Sequence, residues 1–210
     1  MKIKRNNIFA IPEREALSTY LVISLLLSIL FVLVYGGMNW LNAARDTHYH
    51  WYMDWELSAP LIPGMVYVYL SLEILFLLPL FTMTGIELKQ LGKQMAAAIL
   101  VSGTLFFLFP TETGYVRQPG LTAGNPGFDL IYLLDKPHNL FPSLHISLSA
   151  LIIAGVFYKG GMLWRSFLGL WLTLLTASVI LTHQHHLLDI VGGFLVFWFV
   201  SRMIPLFTKT

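Results

Sequence analysis

The chain has no cysteine among its 210 residues. That excludes disulfides, thiolate nucleophiles, zinc–cysteine centres and iron–sulfur clusters. Charge is scarce as well: Asp, Glu, Lys and Arg make up 11% of the chain, against about a quarter in a soluble domain. A formal net charge of +2 is too small to point to nucleic acid as a partner. Internal repeats and low-complexity tracts are lacking too. What is present is apolar. With 56% hydrophobic residues and a mean hydropathy of +0.69, the composition is that of a multi-pass membrane protein.

Residues 1–15 are basic and polar, and residues 16–38 then run without a charge. That run is long enough for a spanning helix of about 20 residues. A signal peptide would have an apolar region of only about 7–15 residues and a small-x-small cleavage site, so a retained first helix is expected. Residues 39–60 mix Trp40, Trp51 and Trp55 with Arg45, Asp46, His48, His50, Asp54 and Glu56, a composition suited to the headgroup level. Further spans are expected at 61–83, which carries Glu73 and Pro79, at 94–109, and at about 143–158, 166–182 and 188–207. A short polar turn at 84–93 and the turn Lys159-Gly160-Gly161 join them on one side. On the other lies a Gly- and Pro-rich loop at 110–142, long enough to be a lid or a site wall.

The expected fold is therefore all-α: a single membrane domain over residues 1–210, folded as a six-transmembrane helical bundle. Six crossings put Lys2, Lys4, Arg5, Arg14, Lys89, Lys93, Lys159, Arg165, Arg202 and Lys209 on one side. The other side receives only Arg45, Arg117 and Lys136. This bias predicts both termini in the cytoplasm and the long loops on the periplasmic or luminal face. In a bacterium that membrane would be the plasma or inner membrane.

The chemistry-bearing residues fall in two stretches. Thr182-His183-Gln184-His185-His186-Leu187-Leu188-Asp189 sets three imidazoles and a carboxylate between two apolar segments, a costly placement that marks a functional site. Phe141-Pro142-Ser143-Leu144-His145 heads another apolar segment at the same membrane face. His185 and Asp189, four apart, share a face if the turn is helical. The carboxylate can then fix one imidazole nitrogen and leave the other to attack an electrophile. His145 is a second imidazole at the same depth, available to protonate a leaving alkoxide. Ser143 and the free amides at the helix start offer an anion site, and Pro142 is expected in the first helical turn, where its missing N–H costs nothing. Arg117 and Lys136, both in the long loop, can neutralise phosphate oxygens, Arg117 with a bidentate grip.

Pro142-Ser143-Leu144-His145 and His185-x-x-x-Asp189 resemble the second and third signature motifs of the type 2 phosphatidic acid phosphatase superfamily. Those are six-span enzymes that act on lipid phosphates without a metal. The resemblance covers roughly residues 108–194. It implies His185 as the nucleophile forming a phosphohistidine, Asp189 as its partner, His145 as general acid and Ser143 as a phosphate ligand. Arg117-Gln118-Pro119, after Phe109-Pro110, resembles a degraded first motif. The sequence departs from the family at four places. Pro110 stands where the first-motif lysine would be, and Gln118 displaces the proline after the arginine. Leu144 replaces a glycine, and Val179 replaces an arginine that clamps phosphate. Leu144 and Thr-His-x-His are closer to the inositol phosphorylceramide synthase-like branch, where an alcohol rather than water accepts the phosphoryl group. His183, Gln184, Arg117 and Lys136 are candidates to replace the lost cation, Arg117 first. No cofactor and no metal is expected, and the partner is a lipid phosphate within the bilayer.

Two rival readings belong to other classes. His183, His185, His186 and Asp189 could ligate zinc or iron. A transporter would instead place its polar residues at mid-membrane on broken helices, whereas here they gather at one face. Taken singly, His48 and His50 are expected to be interfacial, His186 to turn away from Asp189, and Glu73 to hydrogen-bond a neighbouring helix.

Overall fold

The computed structural model describes residues 11–134 and 136–206. Lys2, Lys4, Arg5, Lys209 and the end of the expected last span lie outside these residues. The described residues are all-helical, with no strand and only two isolated β-bridges.

Helix α1 (Arg14–Ala43) is 30 residues long, with a π-helical turn at Val32–Gly36. At 1.5 Å per residue it is about 45 Å long, more than the ~30 Å hydrocarbon core of a bilayer. It lies against α4 (Gly85–Leu108), where Gly92 admits Ile23 and Gly103 admits Val34. Small residues let two apolar helices approach this closely. Together with α7 (Met162–Leu181), these are, among the described residues, the three helices long and apolar enough to cross a membrane.

The remaining helices are shorter. The region 61–83 is not one continuous helix but α2 (Met65–Leu75) followed by α3 (Leu78–Thr82). The break falls just before Pro79, whose ring clashes with the carbonyl four residues back and which has no N–H to donate. In contrast, 84–93 is not a polar turn. Thr84 and Glu87 cap each other reciprocally, and α4 starts at once. The loop 110–142 carries its own structure, a helical turn Pro119–Thr122 and helix α5 (Pro126–Leu134). Asn125 starts α5 by accepting the Gly127 N–H at 3.0 Å, and Pro126 fits the first helical position. Phe128 and Ile131 of α5 pack on Val66 of α2.

Helix α6 (Leu144–Phe157) is the centre of the bundle, touching α2, α3, α4, α7 and α8 (Leu187–Met203). It is apolar on every side and almost wholly buried, as a helix without a solvent face must be. Its first residue is Leu144 with Ser143 as N-cap, so Pro142 precedes the helix instead of opening it.

The turns gather at two ends. At one end Lys159 pairs with Glu87, and Gln94 Nε2 donates to the Ile204 carbonyl at 2.6 Å. At the other end residues 44–64, 110–142 and 182–187 interlock. There Ile62 N donates to Leu181 O at 2.9 Å, and Asn42 Nδ2 to Asn139 Oδ1 at 2.7 Å. Glu73, on α2, is exposed and has no hydrogen-bond partner among the described residues, so the expected bond to a neighbouring helix is not made.

Candidate active site

Helix α7 ends in a Schellman motif. His183 N donates to Ile180 O at 2.8 Å and Gln184 N to Val179 O at 2.9 Å, with His183 in the left-handed region at φ 60°. A glycine is usual there, and histidine is among the few other residues that enter this region more readily than most. The reversal of the chain at His183 carries His185 back over the end of α7, where its N–H also bonds Val179 O at 3.0 Å. Val179, matched in the sequence comparison above to an arginine of the phosphatases it resembles, is itself fully buried with Ile146 and Ile190. An arginine there would have to displace that apolar cluster.

His185 and Asp189 do meet, though not through a helical turn. Helix α8 begins at Leu187 with His186 as its N-cap, so His185 lies outside it. The Asp189 carboxylate instead folds back over the helix start. Its Oδ2 accepts the His186 N–H at 2.8 Å and lies 3.4 Å from His185 Nδ1. This is ion-pair distance rather than a hydrogen bond. His185 also lines a cavity of about 40 Å³. Arg117, Lys136, Gln184, Tyr69 and Tyr132 line it too. A water needs ~10–15 Å³ by this measure, so there is room for a group of a few heavy atoms and not for an acyl chain. The Arg117 guanidinium sits 4.1 Å from the centre of the Tyr132 ring, a cation–π contact that holds it over the cavity wall. Gln184 donates to Thr182 O at 3.0 Å through Nε2.

The second predicted stretch reaches the site from behind. Ser143 N donates to Asp189 O at 2.9 Å, tying the start of α6 to α8. This approach depends on Gly192 and Gly193. A Cβ on Gly193 would stand 2.6 Å from the Ser143 carbonyl oxygen, and one on Gly192 would meet the Phe141 ring. Ser143 is fully buried, and its Oγ accepts the Ile146 N–H at 3.4 Å. It does not line the cavity, so its placement is that of a helix cap and not of a phosphate ligand. His145 stacks on Tyr69, a cavity wall residue, with ring centres 4.1 Å apart. Its Nε2 is buried without a hydrogen-bond partner and, like Ser143, it does not line the cavity.

His183 and His186 belong to a column of four stacked rings, in the order His183, Tyr115, His186 and Tyr52. Successive ring centres are 4.0, 4.5 and 4.5 Å apart. Gly114 N donates to His186 Nε2 at 3.1 Å, which assigns the proton to Nδ1, facing Glu56 Oε2 at 3.6 Å. Burial lowers the His186 pKa, against the opposing pull of Asp189 and Glu56. Burial also lowers that of His183, whose Nε2 lies 2.9 Å from Ala59 O. The Tyr115 hydroxyl is pushed up to about 12, by burial first and then by the charges of Glu56 and Asp189. Glu56 itself was not singled out by the sequence. It is buried, accepts Met53 N through Oε1 and Leu187 N through Oε2, and so locks the 44–64 loop to the start of α8. Nothing local marks it, because it is one of several charges in a Trp-rich loop.

The rival metal set does not assemble. His183 and His186 are committed to the ring column, and among the described residues the ligand atoms of His183, His185, His186 and Asp189 form no group that could hold one ion. The chain matches no protein-family model and no curated protein sequence.

Proposed function

We propose that the protein is an integral-membrane lipid-phosphate phosphatase, similar to the type 2 phosphatidic acid phosphatases, that works through a phosphohistidine on His185. One observation carries this reading. His185, Arg117, Lys136 and Gln184, from two separate loops, line one small cavity with Asp189 behind the imidazole.

The arrangement supports a two-step displacement. With Nδ1 set against Asp189, His185 Nε2 attacks phosphorus, and the bond from phosphorus to the lipid oxygen breaks. The resemblance assigns to His145 the proton that the departing alkoxide takes up, and Asp189 stabilises the charge that develops on the His185 ring. Water then attacks phosphorus, the P–N bond breaks, His145 recovers a proton from the water, and phosphate leaves. Arg117 and Lys136 neutralise the phosphoryl oxygens, Arg117 taking the part of the arginine missing at Val179. Only the phosphoryl group enters the cavity, and the acyl chains remain in the bilayer.

In this reading the three long helices, the α2–α3 pair, α6 and α8 make six crossings, with both termini cytoplasmic and the site at the outer face. The grouping of turns at two ends supports it, as does the placement of charge. Arg14, Lys89, Lys93, Lys159, Arg165 and Arg202 belong to one end, and Arg45, Arg117 and Lys136 to the other. Helix α6, with 14 residues, spans only about 21 Å. A helix wrapped by protein along its length does not have to match the bilayer.

A second reading rests on Leu144 and Val179, both buried in apolar clusters where the phosphatases have glycine and arginine. Leu144, with the Thr-His-x-His run, is closer to the branch that passes the phosphoryl headgroup to an alcohol. The test is an assay of purified protein, in chelator, on phosphatidic acid, phosphatidylglycerophosphate and polyprenyl pyrophosphate, each with and without an alcohol acceptor. Release of phosphate that survives chelation and vanishes in His185→Ala is the expected result. A phosphorylated acceptor in place of free phosphate selects the transferase. Activity that requires added metal, or that persists in His185→Ala, overturns both readings.

A further inference from the structure

A second histidine–carboxylate group lies among the outer loops, apart from His185. Among the described residues, His48, Glu112 and His138 are the only set of three whose ligand atoms all lie within 4.8 Å of one another. Backbone hydrogen bonds hold the three segments in place. Tyr49 N donates to Pro110 O at 2.8 Å, Glu112 N to Tyr49 O at 3.1 Å and Thr113 N to Pro137 O at 3.2 Å. Glu112 and His138 face each other across an antiparallel bridge, which sets their side chains side by side. The group is thus assembled by the backbone.

The protonation pattern leaves a gap between these side chains. His48 Nε2 lies 2.8 Å from the Asn42 carbonyl oxygen, an acceptor only, so Nε2 carries the hydrogen and Nδ1 presents a lone pair. That Nδ1 faces Glu112 Oε2 at 3.5 Å, an acceptor opposite an acceptor. His138 Nδ1 is buried and has no hydrogen-bond partner. A cation between them would take the His48 Nδ1 lone pair and the Glu112 carboxylate, with a His138 ring nitrogen also within 4.8 Å of both. The Nδ1–Oε2 separation is already close to the ~3.3 Å edge of a tetrahedron with arms of about 2.0–2.1 Å. A ligating imidazole that donates its other N–H to a backbone carbonyl is the usual way such a ring is oriented. Here that carbonyl is well fixed. Asn42 is fully buried, and its side chain donates to Phe106 O at 3.0 Å and Asn139 Oδ1 at 2.7 Å.

We propose that His48, Glu112 and His138 bind one divalent zinc-type ion that fastens the three outer loops together. Two imidazoles and a carboxylate, with water in the fourth position, form a ligand set that zinc accepts. The His138 ring, now stacked on His48 with centres 4.6 Å apart, turns toward the ion as it binds, while His48 keeps its bond to the Asn42 carbonyl. His138 and Lys136 also line the cavity beside His185, so the ion would stiffen that wall without taking part in phosphoryl transfer. The proposal is independent of the phosphohistidine reading, because its readouts are metal content and melting temperature.

The test uses the untagged full chain in detergent, stripped with chelator, dialysed and titrated with Zn²⁺, and separately with Co²⁺. One Zn²⁺ per chain is expected, with the visible absorption of four-coordinate Co²⁺ and a zinc-dependent rise in melting temperature. His48→Ala and His138→Ala should each weaken binding by more than the ~10–100-fold typical of losing a partner that merely orients a ligand. Both should abolish the rise in melting temperature. His185→Ala should keep the full zinc content. If the alanine variants melt below the metal-free wild type, His48→Gln and His138→Gln take their place. Less than one zinc per chain in the wild type overturns the proposal. So does zinc retained when both His48 and His138 are replaced, or zinc lost in His185→Ala.

Discussion

At Asp189 a single carboxylate oxygen serves two neighbours, the His186 N–H at 2.8 Å and His185 Nδ1 at 3.4 Å. The two roles separate in Asp189→Asn. An amide oxygen can still accept the His186 N–H, so stability should stay within about 1 kcal/mol of wild type. Lacking the charge that supports an imidazolium, the variant should lose roughly 10²–10⁴-fold in turnover. Kinetics and thermal melts on the same preparation check both halves, and equal losses of fold and activity would reduce Asp189 to a helix cap. The ring column predicts a pH effect. Burial lowers the pKa of His183 and of His186 in the folded protein, while unfolded histidine titrates near ~6.5. The unfolded chain therefore takes up protons first as pH falls. Stability is complete above about pH 6.5 and declines below it, by up to ~1.4 kcal/mol per pH unit for each ring. Melting curves from about pH 8 down to about pH 5 should show this decline, and His186→Asn should flatten it; an unchanged slope would contradict the assignment. The four-residue spacing of His185 and Asp189 was legible in the sequence, yet it works through a folded-back cap and not through helical periodicity. Glu56, Tyr115 and Tyr52 were not legible, since their importance comes from what stacks on them across the fold.

Among the elements, the approach of α8 to the start of α6 positions the site, and Gly193 permits it. Gly193→Ala places a Cβ 2.6 Å from the Ser143 carbonyl oxygen and 2.9 Å from Ile146 Cβ. Backbone cannot yield there as a side chain could, so the cost should be about 1–3 kcal/mol, with loss of activity as the Ser143–Asp189 bond is pushed apart. Gly169→Ala on α7 is the matched control. A Cβ there meets nothing within 4 Å, and the helical position should gain up to about 1 kcal/mol. Thermal melts of the pair decide the point; equal effects would mean that the contact at Gly193 has no special role. Several element boundaries were legible in principle. Thr84-x-x-Glu87 is a capping box within what reads as a polar turn, and Asn125-Pro126 marks a helix start inside the long loop. Pro79 marks the break in 61–83. Hydropathy reports burial, lipid or solvent along a segment and not where a helix begins, so these local signals do not show in it.

For the whole molecule, the sequence makes the all-α class plain, since long uncharged runs leave few alternatives. The number of crossings is harder to read. Among the described residues, three helices are long and apolar enough to cross. Helix α6, at 14 residues, is apolar because it is the buried centre of the bundle, and hydropathy does not separate that from lipid exposure. Sidedness can be tested directly because the chain has no cysteine. Gly120 and Gly161 lie at opposite ends, are exposed, and have nothing within 4 Å of an added Cβ. In intact cells Gly120→Cys should react with a membrane-impermeant maleimide, and Gly161→Cys only after permeabilisation. The reverse pattern would place the His185 cavity on the cytoplasmic side.

The central claim is a covalent bond between His185 and phosphorus, and trapping that bond tests it most directly. The purified protein is mixed with phosphate-labelled phosphatidic acid, or with whichever lipid phosphate it turns over, quenched in alkali, digested and mapped by mass spectrometry. The account predicts an acid-labile, alkali-stable phosphate on the peptide that contains His185, carried by Nε2 and absent from His185→Ala. A turning-over enzyme with no trapped phosphate, or with the phosphate on another residue, would contradict it.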